Sequence, residues 1–364
     1  MLTRTSAFLA LGAVVITALA GCTVPASPAH ETPVASSAPA VPLADLDILE
    51  DPRSYVGEST AVLADRSLGT APAPEQSLPV TVTSRDLDGE TTVTVNSTER
   101  IVAMDIAGSI ASTVAALGLG DKLVGRDIST TAPELADLPL VTSNGHTVNA
   151  EAILALRPDI VITDGTIGPI DVVLQLREAG VSVVFVENEP SLAGVGELAR
   201  QVGETLGASD AGEALAETLD AEIQAKITEI AEIVPGGEPL RMLFLYLRGN
   251  SGIYYLFGGD SGADVLIESL GGIDVAAELG FEGQRPMTDE AMVAANPDLI
   301  FVMTAGIESV GGVDGLLQSK PAIGLTAAGQ HRRFVDMADG DILSFGPRTA
   351  GVLDALARAV YAPE

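Results

Sequence analysis

Glu151-Ala152-Ile153-Leu154-Ala155-Leu156-Arg157-Pro158-Asp159 runs into Ile160-Val161-Ile162, and the stretch returns 139 residues later as Glu290-Ala291-Met292-Val293-Ala294-Ala295-Asn296-Pro297-Asp298, running into Leu299-Ile300-Phe301-Val302. Glu, Ala, Ala, Pro and Asp recur in register. In each copy the pattern predicts a short amphipathic helix stopped by proline, a turn at aspartate, and an apolar run long enough for one buried strand. The offset far exceeds the period of a solenoid repeat. It therefore predicts two similar α/β lobes in one chain, with a cleft between them as the natural place for a small ligand.

Working outward from the first copy, strands are expected at Ile101–Met104, residues 123–125, 140–142, Ile160–Thr163 and residues 181–186. Helices are expected at residues 107–117, ended by Gly118 and Gly120, at 150–156, and at 170–179, ended by Gly180. Such alternation favours a mostly parallel sheet with helices on both faces. Ser209–Ile233 keeps a helical period, with Leu215, Leu219, Ile223, Ile227 and Ile230 on one side and Pro235-Gly236-Gly237 as the stop. The second copy sits in a like series: a strand at residues 242–247, helices at 263–270 and 290–295, a strand at Leu299–Met303 and a last helix over about 349–360. The expected fold is α/β, with two Rossmann-like lobes, each holding a central, mostly parallel sheet, joined by one long rigid α-helix, and a ligand cleft between the lobes.

The N-terminal region has a different character. Arg4 precedes an apolar run at residues 7–19 that is short for a membrane span, and Leu19-Ala20-Gly21-Cys22 follows. This resembles a bacterial lipoprotein signal, in which Cys22, the only cysteine of the chain, is lipidated and residues 1–21 are removed. An ordinary secretory signal is the plainer alternative. Residues 23–42 are almost wholly Pro, Ala, Ser, Thr and Val, a composition that buries too little apolar surface to order itself. The expected organisation is a signal over 1–21, a lipidated flexible tether over 22–84, a first lobe over 85–205, a linking helix over 206–235 and a second lobe over 236–364. Within the tether, residues 45–88 are mixed enough to dock loosely on the fold. The product is expected on the outer face of the cytoplasmic membrane, held by its lipid.

The formal net charge is −31, from 50 acidic against 19 basic residues. That balance argues against nucleic acid, whose phosphates reward stripes of Lys and Arg. It also makes any arginine near the cleft a local exception in a repelling field.

In open α/β sheets ligands lie beyond the carboxyl ends of the strands. The first lobe places Asp105, Arg126, the loop Ser143-Asn144-Gly145-His146 and Asp164 there; the second places Tyr246, Arg248 and Met303 there. Of the three histidines, His30 lies in the tether and His331 beside Arg332 and Arg333, which leaves His146 facing the cleft. An imidazole from one lobe and a phenol from the other suit the two axial positions of a ferric haem, with tyrosinate favouring oxidised iron. A free tyrosine titrates near 10. Arg248, two residues along the strand and so on the same side as Tyr246, would favour the phenolate. Against this stands the ordinary reading of a half-buried amphipathic tyrosine and a solvated histidine.

Several stretches carry a family likeness: Arg100-Ile-Val-Ala-Met-Asp105, Ala116-Leu-Gly-Leu-Gly120 through Val124-Gly-Arg-Asp127, Asn144-Gly-His146, the two Glu-to-Asp repeats, Tyr246-Leu-Arg248-Gly249 and Phe345-Gly-Pro-Arg-Thr349. The chain resembles the cluster A substrate-binding proteins, and within them the HmuT-like haem-binding lipoproteins of actinobacterial ABC haem importers. The likeness spans about residue 80 to the C-terminus, with a weaker match at Asp51-Pro-Arg-Ser-Tyr55. It implies iron ligated by His146 and Tyr246, with Arg248 hydrogen-bonded to the tyrosine. It implies a methionine near the haem at Met303, whose other reading is a core side chain filling a strand end. Tyr254 and Tyr255 are further phenols, but their setting in Ile253-Tyr-Tyr-Leu-Phe257 suits a core or edge role. Arg126, Arg285 and Arg348 are all candidates for the propionates.

The same resemblance gives Glu151 and Glu290 the part of docking charges, one per lobe, that face arginine pockets on a permease driven by an ATPase. A carboxylate in the first turn of a helix is also favoured by the dipole alone. The chain is expected to act as a monomeric receptor and not as an enzyme, since no second acid or base converges on the proposed iron site. A ferric siderophore or a corrinoid is the alternative ligand, the latter disfavoured by the lack of Trp to pave its face. Gly259-Asp260-Ser261-Gly262 reads as a turn into a helix, and one cysteine with scattered histidines makes no zinc site.

Overall fold

The computed structural model describes residues 41–69, 71–86 and 89–363. The signal expected at 1–21, the lipidation site Cys22 and His30 lie outside the described residues.

The first lobe is built on four parallel strands in the order Leu123–Arg126, Ile101–Met104, Ile160–Thr163, Ser182–Phe185. All four residues of Ile101–Met104 and of Ile160–Thr163 are buried. That two-sided burial is why these strands read as continuous apolar runs and not as alternation. One face of the sheet packs Ile101, Ala103, Ile160 and Ile162 with Ile110, Val114 and Leu198, and the other packs Val102, Met104 and Val161 with Ile153, Val173 and Leu176.

The second lobe holds a seven-stranded sheet. Ser59–Ala61, Phe334–Met337, Leu299–Met303 and Arg241–Arg248 run parallel in that order, Ile273–Asp274 pairs with the start of Arg241–Arg248, and Ile253–Phe257 and Gln284–Pro286 continue antiparallel at the edge.

The duplicated stretch occupies the same place in both lobes. Helix Ala150–Leu156 starts at Asn149, whose Oδ1 accepts from Ala152 N, and helix Asp289–Ala295 starts at Thr288, whose Oγ1 accepts from Ala291 N. Each ends on a left-handed residue, Arg157 (φ 49°) and Asn296 (φ 39°), before proline. The equivalence reaches the preceding strands. Asp159 Oδ2 accepts from Arg100 N at 3.0 Å, and the Arg100 guanidinium donates to Leu156 O; Asp298 Oδ2 accepts from Arg241 N at 3.0 Å, and the Arg241 guanidinium donates to Ala295 O. An arginine thus satisfies the last carbonyls of each repeated helix.

Helix Ser209–Ile233 has the limits its periodicity predicts. It packs on helix Leu192–Thr205 so closely that a Cβ on Gly203 would lie 2.6 Å from the Gly212 Cα. The sequence reading leaves Leu192–Thr205 unassigned, because its stripe of Val195, Leu198, Ala199 and Val202 is interleaved with Gly194, Gly196 and Gly203, poor helix formers that serve this crossing.

Two expectations need correction. Residues 140–142 do not form a sheet strand: Thr142–Ser143 pairs with Thr147–Val148 in a small hairpin, and Leu140 makes a single bridge to Arg126. The flexible tether does not extend through residue 84. Leu43, Ala61 and Leu63 are buried in the second core, Arg53 donates to the carbonyls of Glu238 and Pro239, and Ser59–Ala61 is an edge strand of the second sheet. Leu68 then enters the first core, Gln76 donates to Leu206 O, and Val80–Asp86 forms a hairpin with Gly89–Val95. The segment is a strap that visits both lobes, its few apolar anchors hidden in a polar composition. The lobes are therefore joined twice, by the long helix and by the strap near Arg66.

Candidate functional site

The carboxyl ends of the two sheets face each other. The turn after Phe334–Met337 in the second lobe reaches the loop after Leu123–Arg126 in the first, where a Cβ on Gly340 would lie 2.8 Å from the Thr131 side chain and 3.3 Å from Ser129 O. Phe345 and Pro190 close on Gly262, whose Cβ would meet them at 2.7 and 2.9 Å. These contacts form the floor of the cleft.

On the first lobe, Asp105 ends its strand and turns the chain. Its carboxylate accepts from the backbone of Ala107, Ser109 and Ile110 and so caps helix Ser109–Val114. Asp127 accepts from Asp105 N at 2.9 Å and from Thr130 N at 2.7 Å. Complete burial, with the charges of Asp164 and Asp127 nearby, pushes Asp105 up to about 8, and burial also raises Asp127. Their oxygens are committed to backbone, and no group of metal-ligating side chains occurs among the described residues. Directly after these aspartates come Ile106 and Ile128, both exposed. They give the first lobe an apolar rim that the sequence reading missed, although a repeated Asp-Ile at two strand ends was there to be seen.

His146 lies in the turn of the hairpin, after Asn144 (φ 47°) and Gly145 (φ 86°). A hydrogen bond of 2.7 Å from Val148 N to Gly168 O holds the hairpin beside the loop that follows Ile160–Thr163. The imidazole is exposed and makes no hydrogen bond among the described residues.

On the second lobe three of the expected residues come together. Phe244 pairs with Phe301 on the neighbouring parallel strand. Tyr246 and Met303, each two residues further on, therefore share a sheet face. The half-buried Tyr246 ring stacks on Phe257 at 5.7 Å between centroids. Arg248 lays its Cζ 4.7 Å from the Tyr246 ring centroid, donates to Met303 Sδ at 3.5 Å and to Asp339 Oδ1 at 2.6 Å. The structure thus gives a cation over the ring face, and not the hydrogen bond to the phenol that the resemblance implies. Asp339, whose other oxygen accepts from Ala305 N, was not foreseen. Its only sequence signal is its place after a strand that the periodicity did not reveal.

The three arginines considered for propionates separate. Arg126 is half-buried and donates to the carbonyls of Ala136, Asp127 and Thr130, bracing its own loop. Arg285 pairs across the edge strands with Leu256, which belongs to the core on the sheet face opposite Tyr246. It therefore points away from the tyrosine. Arg348 is 7% exposed and lies 3.2 Å from Asp341, an aspartate shared with Arg66 at 3.1 Å. Burial holds Arg348 below the usual arginine range. It serves the floor between the lobes.

Glu151 and Glu290 are both exposed, each in the first turn of its helix and neither held by another side chain among the described residues.

Two parallel-sheet lobes opposed at their strand ends, bridged by a long helix and carrying side chains aimed into the gap, define a two-lobed substrate-binding protein. Residues 102–339 match the family model described as Periplasmic binding protein, and the chain belongs to that family. Among solved structures it is similar to the haem-binding protein HmuT, with 40% identity and a TM-score of 0.79 over 85% of this chain and 99% of that one. HmuT has also been solved with single alanine replacements of an arginine, a histidine and a tyrosine. The apo form of the periplasmic haem-binding protein RhuT from Roseiflexus sp. RS-1 is 38% identical, with a TM-score of 0.67 over 73% of this chain and 98% of that one. The uncharacterized ABC transporter substrate-binding lipoprotein YvrC of Bacillus subtilis (strain 168) is 28% identical over 249 residues, 68% of this chain and 75% of that one. No helix among the described residues is long and apolar enough to cross a membrane.

Proposed function

We propose that this chain captures ferric haem outside the cytoplasmic membrane, tethered there through Cys22, and delivers it to an ABC permease powered by an ATPase. It acts as a monomeric receptor and catalyses no reaction. His146 and Tyr246 ligate the iron from opposite lobes, and Met303 lies against the porphyrin. The observation that carries the reading is the cluster in which one guanidinium, that of Arg248, touches both Tyr246 and Met303 at the cleft. The similarity to HmuT supports it, because the tyrosine and arginine replaced there are two positions apart, as Tyr246 and Arg248 are.

The chemistry follows from the donors. Tyrosinate stabilises ferric iron, and Arg248 lays a fixed cation against the ring of that donor. Asp339 holds that cation in place and offsets part of its charge. Ile106 and Ile128 offer the apolar contact that a porphyrin face needs. Of the arginines considered for the propionates, Arg126 ends a first-lobe strand and is only half-buried, whereas Arg348 is buried and Arg285 points away from Tyr246, and we assign Arg126 that role.

Glu151 and Glu290 are the docking charges for the permease, one on each lobe. Two separated charges fix orientation and raise the rate of encounter.

Absorption titrations of the purified chain with hemin, cyanocobalamin and a ferric hydroxamate test the ligand. Hemin alone is expected to saturate the site; binding of either other ligand with no response to hemin overturns the reading.

A further inference from the structure

Ten large apolar side chains are exposed among the described residues, and four of them gather at the two repeated helices. Leu154 (40% exposed) and Val293 (44% exposed) occupy the same position of the repeat, three residues after Glu151 and Glu290. A spacing of three places each aliphatic on the flank of the helix that carries its glutamate. A second aliphatic adjoins each helix. Leu140 (45% exposed) precedes Val141, whose carbonyl accepts from Asn149 N at the helix start. Leu325 (67% exposed) lies on the turn Ile323–Leu325, which packs on helix Asp289–Ala295.

Isolated exposed aliphatics are ordinary on protein surfaces. An aliphatic at the same register of a duplicated element, leucine in one copy and valine in the other, each beside a carboxylate with no ion pair among the described residues, makes a matched pair of surfaces. The helix interior does not require it, since Ile153 and Met292 already supply the buried side.

We infer that Glu151 with Leu140 and Leu154, and Glu290 with Val293 and Leu325, form two contact pads, matched in register at the glutamate and at Leu154 and Val293, each an acidic charge bordered by an aliphatic surface. They fit a partner that presents one surface twice, about an approximate two-fold axis, with a cation beside an apolar recess in each copy. This rests on the docking reading above and identifies that partner as the permease. The charges steer a chain of net charge −31 onto basic pockets, and the aliphatics hold it once water is expelled. The pads are exposed, so their alteration leaves the fold and the ligand site intact.

The test uses the full chain and its permease–ATPase complex in lipid nanodiscs, with affinity measured across a range of salt. Leu154→Ser with Val293→Ser is expected to weaken binding about tenfold or more, with the salt dependence and the hemin spectrum unchanged. Glu151→Gln with Glu290→Gln is expected to weaken binding and flatten the salt dependence. Parent-like affinity of the serine pair beside a weakened glutamine pair overturns the aliphatic pads and leaves the docking charges standing. Parent-like affinity of both pairs overturns the pads and the docking reading together.

Discussion

At the residue scale, Arg248 is the joint of the site, because it meets Tyr246, Met303 and Asp339 at once. Arg248→Leu removes the cation from the Tyr246 ring, so hemin affinity is expected to fall several-fold and the bound spectrum to shift, while Asp339→Asn, which frees the guanidinium's charge, is expected to preserve binding. Equal spectra and affinities in the parent and Arg248→Leu would show that the cation is idle. Asp105 offers a separate handle. An acid whose folded value is raised is stabilising only while the unfolded chain also holds its proton, so stability contributed here is present below about pH 4. It is lost as pH rises from there through about 8. Melting temperatures of Asp105→Asn should accordingly vary less over that range than those of the parent, and parallel curves would refute this. The meeting of Tyr246, Arg248 and Met303 was legible in the sequence because two neighbouring parallel strands end on them. Asp339 and the exposed Ile106 and Ile128 were not, since their roles depend on which loops meet.

The repeated helices show the same division at the element scale. Their glutamates, prolines and aspartates recur in the sequence, and the backbone repeats with them down to the arginine that binds the last carbonyls of each. Asn149 and Thr288 cap the two helices through the same hydrogen bond. Asn149→Ala and Thr288→Ala are each expected to cost about 1 kcal/mol in denaturant unfolding. Additive losses would mark the lobes as independent at this level; no loss in either would deny the caps their role. Helix Ser209–Ile233 was readable to the residue because 25 positions of one period overwhelm local noise. Helix Leu192–Thr205 was hidden by its glycines, and strand Phe334–Met337 by its short length beside the charged Arg332 and Arg333.

Across the whole molecule, the double connection decides how the lobes move. The strap crosses between them near Arg66, which donates to Thr131 of the first lobe and shares the buried Asp341 of the second with Arg348. With the long helix beside it, this floor is expected to resist wide opening. Arg66→Ala leaves Asp341 with one partner in place of two and is expected to destabilise the chain by roughly 1–3 kcal/mol. Hydrogen exchange should rise at residues 64–69 and 129–131 together; unchanged exchange at both would mean that the strap does not fasten the lobes. Two lobes and a cleft followed directly from the repeat. The strap did not, because its hold comes from scattered anchors such as Leu43, Leu63 and Leu68, and no period announces those.

The proposed capture holds iron between donors from opposite lobes. Its most direct measurement is the absorption spectrum of the chain saturated with hemin, compared for the parent, His146→Ala and Tyr246→Ala. A spectrum altered in each variant, with weakened affinity in both, is the expected result, and parent-like spectra in both variants would contradict the account.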